Sequence, residues 1–332
     1  MTLSPPILAL FLADLLSLVL LVPAGLFALQ LLRHWDPSSG RALQLRLEKR
    51  TYLVSAVVGL VFLAQLLLLP LFVHTVDRMA LQIVGAMCAV GTLNANAWGL
   101  PALLLRIALF FLAAAWLVLH RLDARAPDYP LTRTKYVLLL AILPLTLAAA
   151  GVQFAYFMLL DPDVITSCCG SLFSQGTESV TAHMAGLPAL PTMVAFYALL
   201  TLTLMAGLAY LRWRRGLLLF AGLATLSFPV AIVAIIAFVS LYVYEHPLHH
   251  CPFCMLTGDY GHIGYALYLP LFGATGLALG LLSARLAGGD SLRAVLQRDA
   301  PHLVIASMAG LGLFAALSAW LSWQSNLILL GH

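Results

Sequence analysis

Charge is what this sequence has least of. Asp, Glu, Lys and Arg make up 9% of its 332 residues, while apolar residues make up 62%. A soluble domain of this length carries about a quarter charged residues. So little charge cannot cover the surface of a water-soluble globule, which excludes that class and leaves lipid as the solvent for most of the chain. No basic stretch is interleaved with aromatics, so nucleic acid is not an expected partner. No Lys or Arg precedes Arg33, and Asp14 lies within the first apolar stretch. The positive n-region of a signal peptide is therefore missing, and this stretch is expected to remain as a membrane helix. No linker, low-complexity tract or convincing internal repeat divides the sequence, so residues 1–332 are expected to form a single transmembrane domain.

Long apolar runs are what the sequence has most of. A spanning helix needs about 20 mostly apolar residues. Eight stretches qualify, at roughly 7–32, 52–73, 102–121, 136–160, 190–211, 216–243, 262–286 and 302–328. Pro23, Pro144, Pro229 and Pro270 fall inside them, where neighbouring groups can satisfy the freed carbonyls. The expected fold is an all-α, polytopic transmembrane bundle of about eight helices.

The basic residues sort by connector. Arg33, Arg41, Arg46, Lys49 and Arg50 occupy the first. Arg121, Arg125, Arg133 and Lys135 occupy the third, Arg212, Arg214 and Arg215 the fifth, and Arg285, Arg293 and Arg298 the seventh. Only Arg78 and Arg106 remain of the 17. Positive connectors stay in the cytoplasm, so both termini are expected on the extracytoplasmic side of a bacterial inner membrane. The outward connectors are then the long ones, at about 74–101, 161–189 and 244–261. The first is partly apolar and is expected to lie on the membrane or dip into it under a cover of protein or water.

All five cysteines fall in those outward connectors. Cys88 is in the first, Cys168 and Cys169 are adjacent in the second, and Cys251 and Cys254 form a C-x-x-C in the third. Cysteines used merely as small hydrophobes would sit in the apolar helices. His74, His183, His246, His249, His250 and His262 gather in or beside the same connectors. Three chemistries fit. The first is thiol–disulfide exchange with a periplasmic partner such as a thioredoxin-like protein. A C-x-x-C depresses the pKa of one thiol, and the thiolate is the reactive species. Cys251, beside His250, would attack, Cys254 would resolve the mixed disulfide, and Cys168 and Cys169 would form a second, strained and labile pair. The second is binding or transport of copper or another soft metal by Cys88, Cys168, Cys169, Cys251, Cys254, His249 and His250, since thiolate and imidazole suit such ions. Met79, Met87, Met184 and Met255 in or beside the connectors would favour copper(I). The third is a non-catalytic subunit of a larger membrane assembly with disulfide-braced loops. Covalent c-type haem is excluded, because Met255 stands where C-x-x-C-H requires histidine.

Two charges lie inside apolar stretches. Asp14 and Arg106 both fall toward the outer side; either they pair, since each needs a counter-charge, or Asp14 is shallow enough to reach water. Asn94, Asn96 and Trp98, at the edge of the first outward connector, are expected to serve its turns. Trp320 and Trp323 read as interfacial anchors.

Overall fold

The computed structural model describes residues 4–36, 42–126, 128–161, 163–166, 180–288 and 290–329. All regular structure among them is helical. Long helices are α1 (Pro5–His34), α2 (Ala42–Met79), α4 (Gly99–Asp123), α5 (Thr132–Met158), α7 (Ala189–Trp213), α8 (Leu217–Ala234), α10 (Ile263–Ala287) and α11 (Asp290–Gln324). Short ones are α3 (Ala89–Leu93), α6 (Val180–Ala185) and α9 (Ser240–Tyr244). A π-helical stretch, Ile235–Val239, joins α8 to α9, making one continuous span. Eight helices among the described residues are long and apolar enough to cross a membrane. The chain is an all-α, multi-pass membrane protein.

Two helices begin well before their apolar runs. α2 has 38 residues, which makes it about 57 Å long, against a hydrocarbon core of about 30 Å. Its first turns carry Arg46, Lys49 and Arg50. α11 likewise starts at Asp290 and carries Arg293 and Arg298. Leu, Gln, Glu, Lys, Arg and Ala fill residues 42–50 of α2, and all are strong helix formers. Charge ends the apolar run there without ending the helix. The helices also run unbroken through Pro23, Pro144, Pro229 and Pro270.

The chain divides into two compact units. The first comprises Met1–Val73, Ala97–Leu159 and Leu279–Leu303. Leu21, Ala24, Val58, Phe62, Trp116, Leu139 and Ile142 form its packed core. Phe62 meets Trp116 edge-on at 5.1 Å, a favoured aromatic geometry. The Trp116 indole N–H donates to the Lys135 carbonyl at 2.9 Å. At the start of α5, the fully buried Asp123 carboxylate accepts from the Leu131 amide, the Thr132 hydroxyl and the Lys135 ammonium, at 2.8, 2.9 and 2.7 Å. It thereby satisfies donors that a helix N-terminus leaves open.

The same unit holds the second buried ion pair, between Asp14 and Arg106, so of the two readings the sequence allows it is pairing that occurs. Two further helices join it. Arg106 on α4 donates from Nε and Nη2 to Oε1 of Gln153 on α5, at 3.0 and 2.7 Å. From Nη1 it donates to Oε1 of Gln65 on α2, at 3.1 Å. Gln153 Nε2 donates to Asp14 Oδ2 at 2.8 Å, and Gln65 Nε2 to the Ser17 hydroxyl at 3.1 Å.

The second unit comprises His74–Asn96, Leu160–Ala278 and Val304–His332. Phe196 on α7 packs edge-on against Phe238 and Phe314 at 5.8 Å each. α10 and α11 approach closely: a Cβ on Gly310 would stand 2.8 Å from the Pro270 carbonyl oxygen. Small residues at such crossings are how membrane helices gain packing contact.

Candidate functional site

The site lies within the second unit, where two connectors bring three sulfurs together. The first runs from the end of α2 to α3. It turns at Gly85, whose φ of +82° favours glycine and whose Cβ, if present, would stand 2.2 Å from the Thr166 carbonyl oxygen. The Thr166 amide donates to the Val84 carbonyl at 3.0 Å, tying this connector to residues 163–166 of the next. Cys88 then starts α3. The Asp77 carboxylate, at the end of α2, accepts from the Ala89 amide at 3.2 Å and so fixes where α3 begins. Every residue of α3 is buried, and all but Leu93 are small enough to let it sit among other elements.

The second connector follows α9. Glu245, in the left-handed region, ends that helix. The chain returns through His246–His250 to the C-x-x-C. Tyr244 holds both ends of the motif: its hydroxyl donates to the Cys251 carbonyl at 2.6 Å and accepts from the Met255 amide at 2.8 Å. Tyr268 on α10 donates to the Pro252 carbonyl at 2.8 Å. Cys254–Leu256 is a 3-10 turn, closed by the Thr257 hydroxyl on the Cys254 carbonyl at 2.8 Å. Gly264 gives the turn room, since a Cβ there would stand 2.7 Å from Leu256 and 2.8 Å from Met255.

Cys88, Cys251 and Cys254 are buried, and their sulfurs all lie within 4.8 Å of one another. Cys88 Sγ is 3.7 Å from Cys251 Sγ. No disulfide is formed among the described residues. Val90, Ala185 and Ile236 line the sulfurs, with Met184, Ile232, Tyr244, Phe253 and Tyr260 at the margin. His249 Nε2 is 3.3 Å from Cys254 Sγ, and its ring lies over Tyr244 with centroids 4.2 Å apart.

The three thiols differ in acidity. Hydrogen bonds from the Cys254 thiol, and then from the Cys88 thiol, hold Cys251 well below the ordinary thiol range, outweighing its burial. Cys254 is pushed up by the same bond to Cys251, then by Cys88 and by burial. Burial lowers the His249 pKa, and its neighbours His246 and His250 lower it further, which favours the neutral ring.

Of the residues the sequence singled out, Cys88, Cys251, Cys254 and His249 come together. His250 does not turn to a sulfur; its Nδ1 faces the Ile236 carbonyl of the π-helical stretch at 2.9 Å. The imidazole that reaches a thiol is that of His249, and the thiol it reaches is Cys254 rather than Cys251. Cys168 and Cys169 lie outside the described residues. Met255 is fully buried beside the motif, Met184 packs against the cluster, and Met87 is exposed. His246 takes the Leu248 amide in a turn, and His74 meets the Tyr265 hydroxyl at 3.5 Å. Asn94 ends α3 as a turn residue, its amide donating to the Val90 carbonyl at 3.0 Å. Asp77, Tyr244 and Tyr268, which position the site, carried no sequence signal beyond their nearness to the cysteines.

Set against models of protein families, curated proteins and solved structures, the chain matches none of them.

Proposed function

We propose that the chain binds a soft metal ion, copper(I) foremost, as cargo at Cys88, Cys251 and Cys254, with His249 beside them. One observation carries the reading: three buried sulfurs from two separate connectors lie within 4.8 Å of one another. Thiolate ligands select soft ions, copper(I) and zinc among them. The apolar lining and Met184 at its margin support copper(I), because thioethers are soft and the surroundings keep water out. Zinc would take the three sulfurs with His249 as a tetrahedral set, and preferential zinc retention by the purified chain is the outcome that would replace copper(I). The charge distribution along the chain supports a site facing outward from a bacterial inner membrane, with both termini on that side.

The test is copper(I) loading of the purified full chain. The C168S/C169S variant is expected to retain about one tightly held copper(I) per chain, and further replacement C88S to weaken that retention, since only the two soft sulfurs of the C-x-x-C remain. Equal retention with and without Cys88 would sink the reading.

A second reading rests on the C-x-x-C itself. Cys88, 3.7 Å from Cys251, adds a third sulfur through which a disulfide could shift from one pair to another. Exchange with a large periplasmic protein requires an exposed sulfur, and burial of all three favours the metal. Under the exchange reading, the C254S variant would accumulate a mixed disulfide with its partner; under the metal reading it would not.

A further inference from the structure

The Asp14–Arg106 network in the first unit has no part in the sulfur chemistry. Asp14 lies nine residues after the start of α1, about 14 Å along its axis, and Arg106 seven residues after the start of α4, about 10 Å along. With α1 about 45 Å and α4 about 38 Å long, both groups lie roughly 6–7 Å beneath the face of a core of about 30 Å on which the helices are centred. Both are almost wholly buried, at 4% and 1% exposure. Ionisable groups at such depth are costly, and they persist where they handle ions or protons.

The pairing is built asymmetrically. Arg and carboxylate usually meet as two parallel bonds, one to each oxygen. Here Arg106 Nη2 and Gln153 Nε2 both donate to Oδ2. The other oxygen, Oδ1, is buried and has no hydrogen-bond partner among the described residues. A group that served only to hold helices together would be expected to use both oxygens, because an unmet buried acceptor costs about 1–3 kcal/mol. Oδ1 is an acceptor, so whatever completes it must bring a proton or positive charge.

The surrounding amides suit a carboxyl that changes charge. Arg106 keeps three of its four hydrogen bonds without Asp14: two to Gln153 Oε1 and one to Gln65 Oε1. It stays solvated by protein when Asp14 is neutral. Gln153 Nε2 and Arg106 occupy Oδ2 in either state, which leaves Oδ1 as the oxygen that gains the proton. Each helix packed on this site contributes a definite group. α4 brings the cation Arg106, α2 brings neutral Gln65, and α5 brings neutral Gln153. Tyr156, one turn further along α5, is directed to Phe72 with ring centroids 6.2 Å apart. α1 adds Ser17, whose hydroxyl donates to the Ala13 carbonyl at 2.7 Å and accepts from Gln65.

We infer that Asp14 Oδ1 is a proton-binding site inside the membrane, held ready by Arg106, Gln65 and Gln153, so that the chain takes up and releases a proton within its first unit. The site stands whether or not the sulfur cluster holds copper.

Infrared difference spectroscopy of the full chain in lipid vesicles, between acidic and alkaline buffer, reads it directly. The wild type is expected to show a protonated-carboxyl band on acidification that D14N lacks. Superimposable difference spectra from the two folded proteins would overturn the inference. Because D14N leaves Arg106 without its counter-charge and can fail to fold, a second measurement uses the wild type alone. Dicyclohexylcarbodiimide, an apolar reagent that captures protonated carboxyls, is expected to mark Asp14 with a yield that rises as pH falls, mapped by peptide mass spectrometry. No adduct on Asp14, or a yield independent of pH, would contradict it.

Discussion

Removing one hydroxyl, in the substitution Tyr244→Phe, tests whether the sulfur cluster is preorganised by its loop. That hydroxyl bridges the Cys251 carbonyl and the Met255 amide, at 2.6 and 2.8 Å. Cys251 and Met255 are both fully buried, so water does not readily replace it. Each such bond contributes about 1 kcal/mol net, and together they hold the C-x-x-C in its binding geometry with about 2 kcal/mol. If that ordering is lost in the metal-free protein and must be restored on binding, copper(I) affinity falls roughly 30-fold. Tyr268→Phe removes a single bond, to the Pro252 carbonyl, and should weaken binding about 5-fold on the same arithmetic. Competition against a chromophoric copper(I) chelator measures both, with stoichiometry expected to hold. Affinities of both variants within about 2-fold of wild type, a difference of only ~0.4 kcal/mol, would refute the claim that these tyrosines preorganise the site.

Other substitutions probe the same frame. Gly85→Ala forces a side chain into a left-handed turn and against the Thr166 carbonyl, so it should cost at least about 1–3 kcal/mol; a lower thermal midpoint in detergent and faster Cys88 alkylation would show it. Asp77→Ala removes the acceptor of the Ala89 amide. The expected loss is about 1–2 kcal/mol, seen as greater Cys88 reactivity toward a small maleimide with bulk unfolding little changed. Lys135→Met leaves the buried Asp123 carboxylate without its cation and should destabilise the first unit by about 3–5 kcal/mol, measured by thermal unfolding.

Much of the fold was legible because lipid imposes a simple demand on composition. Every one of the eight long apolar runs became a helix. The starts of α2 and α11 were not legible, since hydropathy reports where the apolar run stops and not where backbone hydrogen bonding stops. The Asp14–Arg106 pair was one of two readings open from the sequence, because opposite charges in apolar stretches need each other but shallow ones can also reach water. Gln65 and Gln153 were invisible, as neutral amides in helices give no such imbalance. In the site, clustering of cysteines and histidines toward one set of connectors was plain from the sequence. Cys88, 163 residues from Cys251, could be named as a ligand from its connector, but how it reaches the others could not, because that depends on a glycine turn and an aspartate cap. The choice between His249 and His250 was equally hidden: adjacent residues point opposite ways, and the π-helical carbonyl of Ile236 takes the second.

The most direct measurement is X-ray absorption at the copper edge of the copper(I)-loaded C168S/C169S protein. A first shell of three sulfurs, with one fewer on replacing Cys88 or Cys254, is the predicted result. A shell of nitrogen and oxygen, or a sulfur count unchanged by those replacements, would contradict the account.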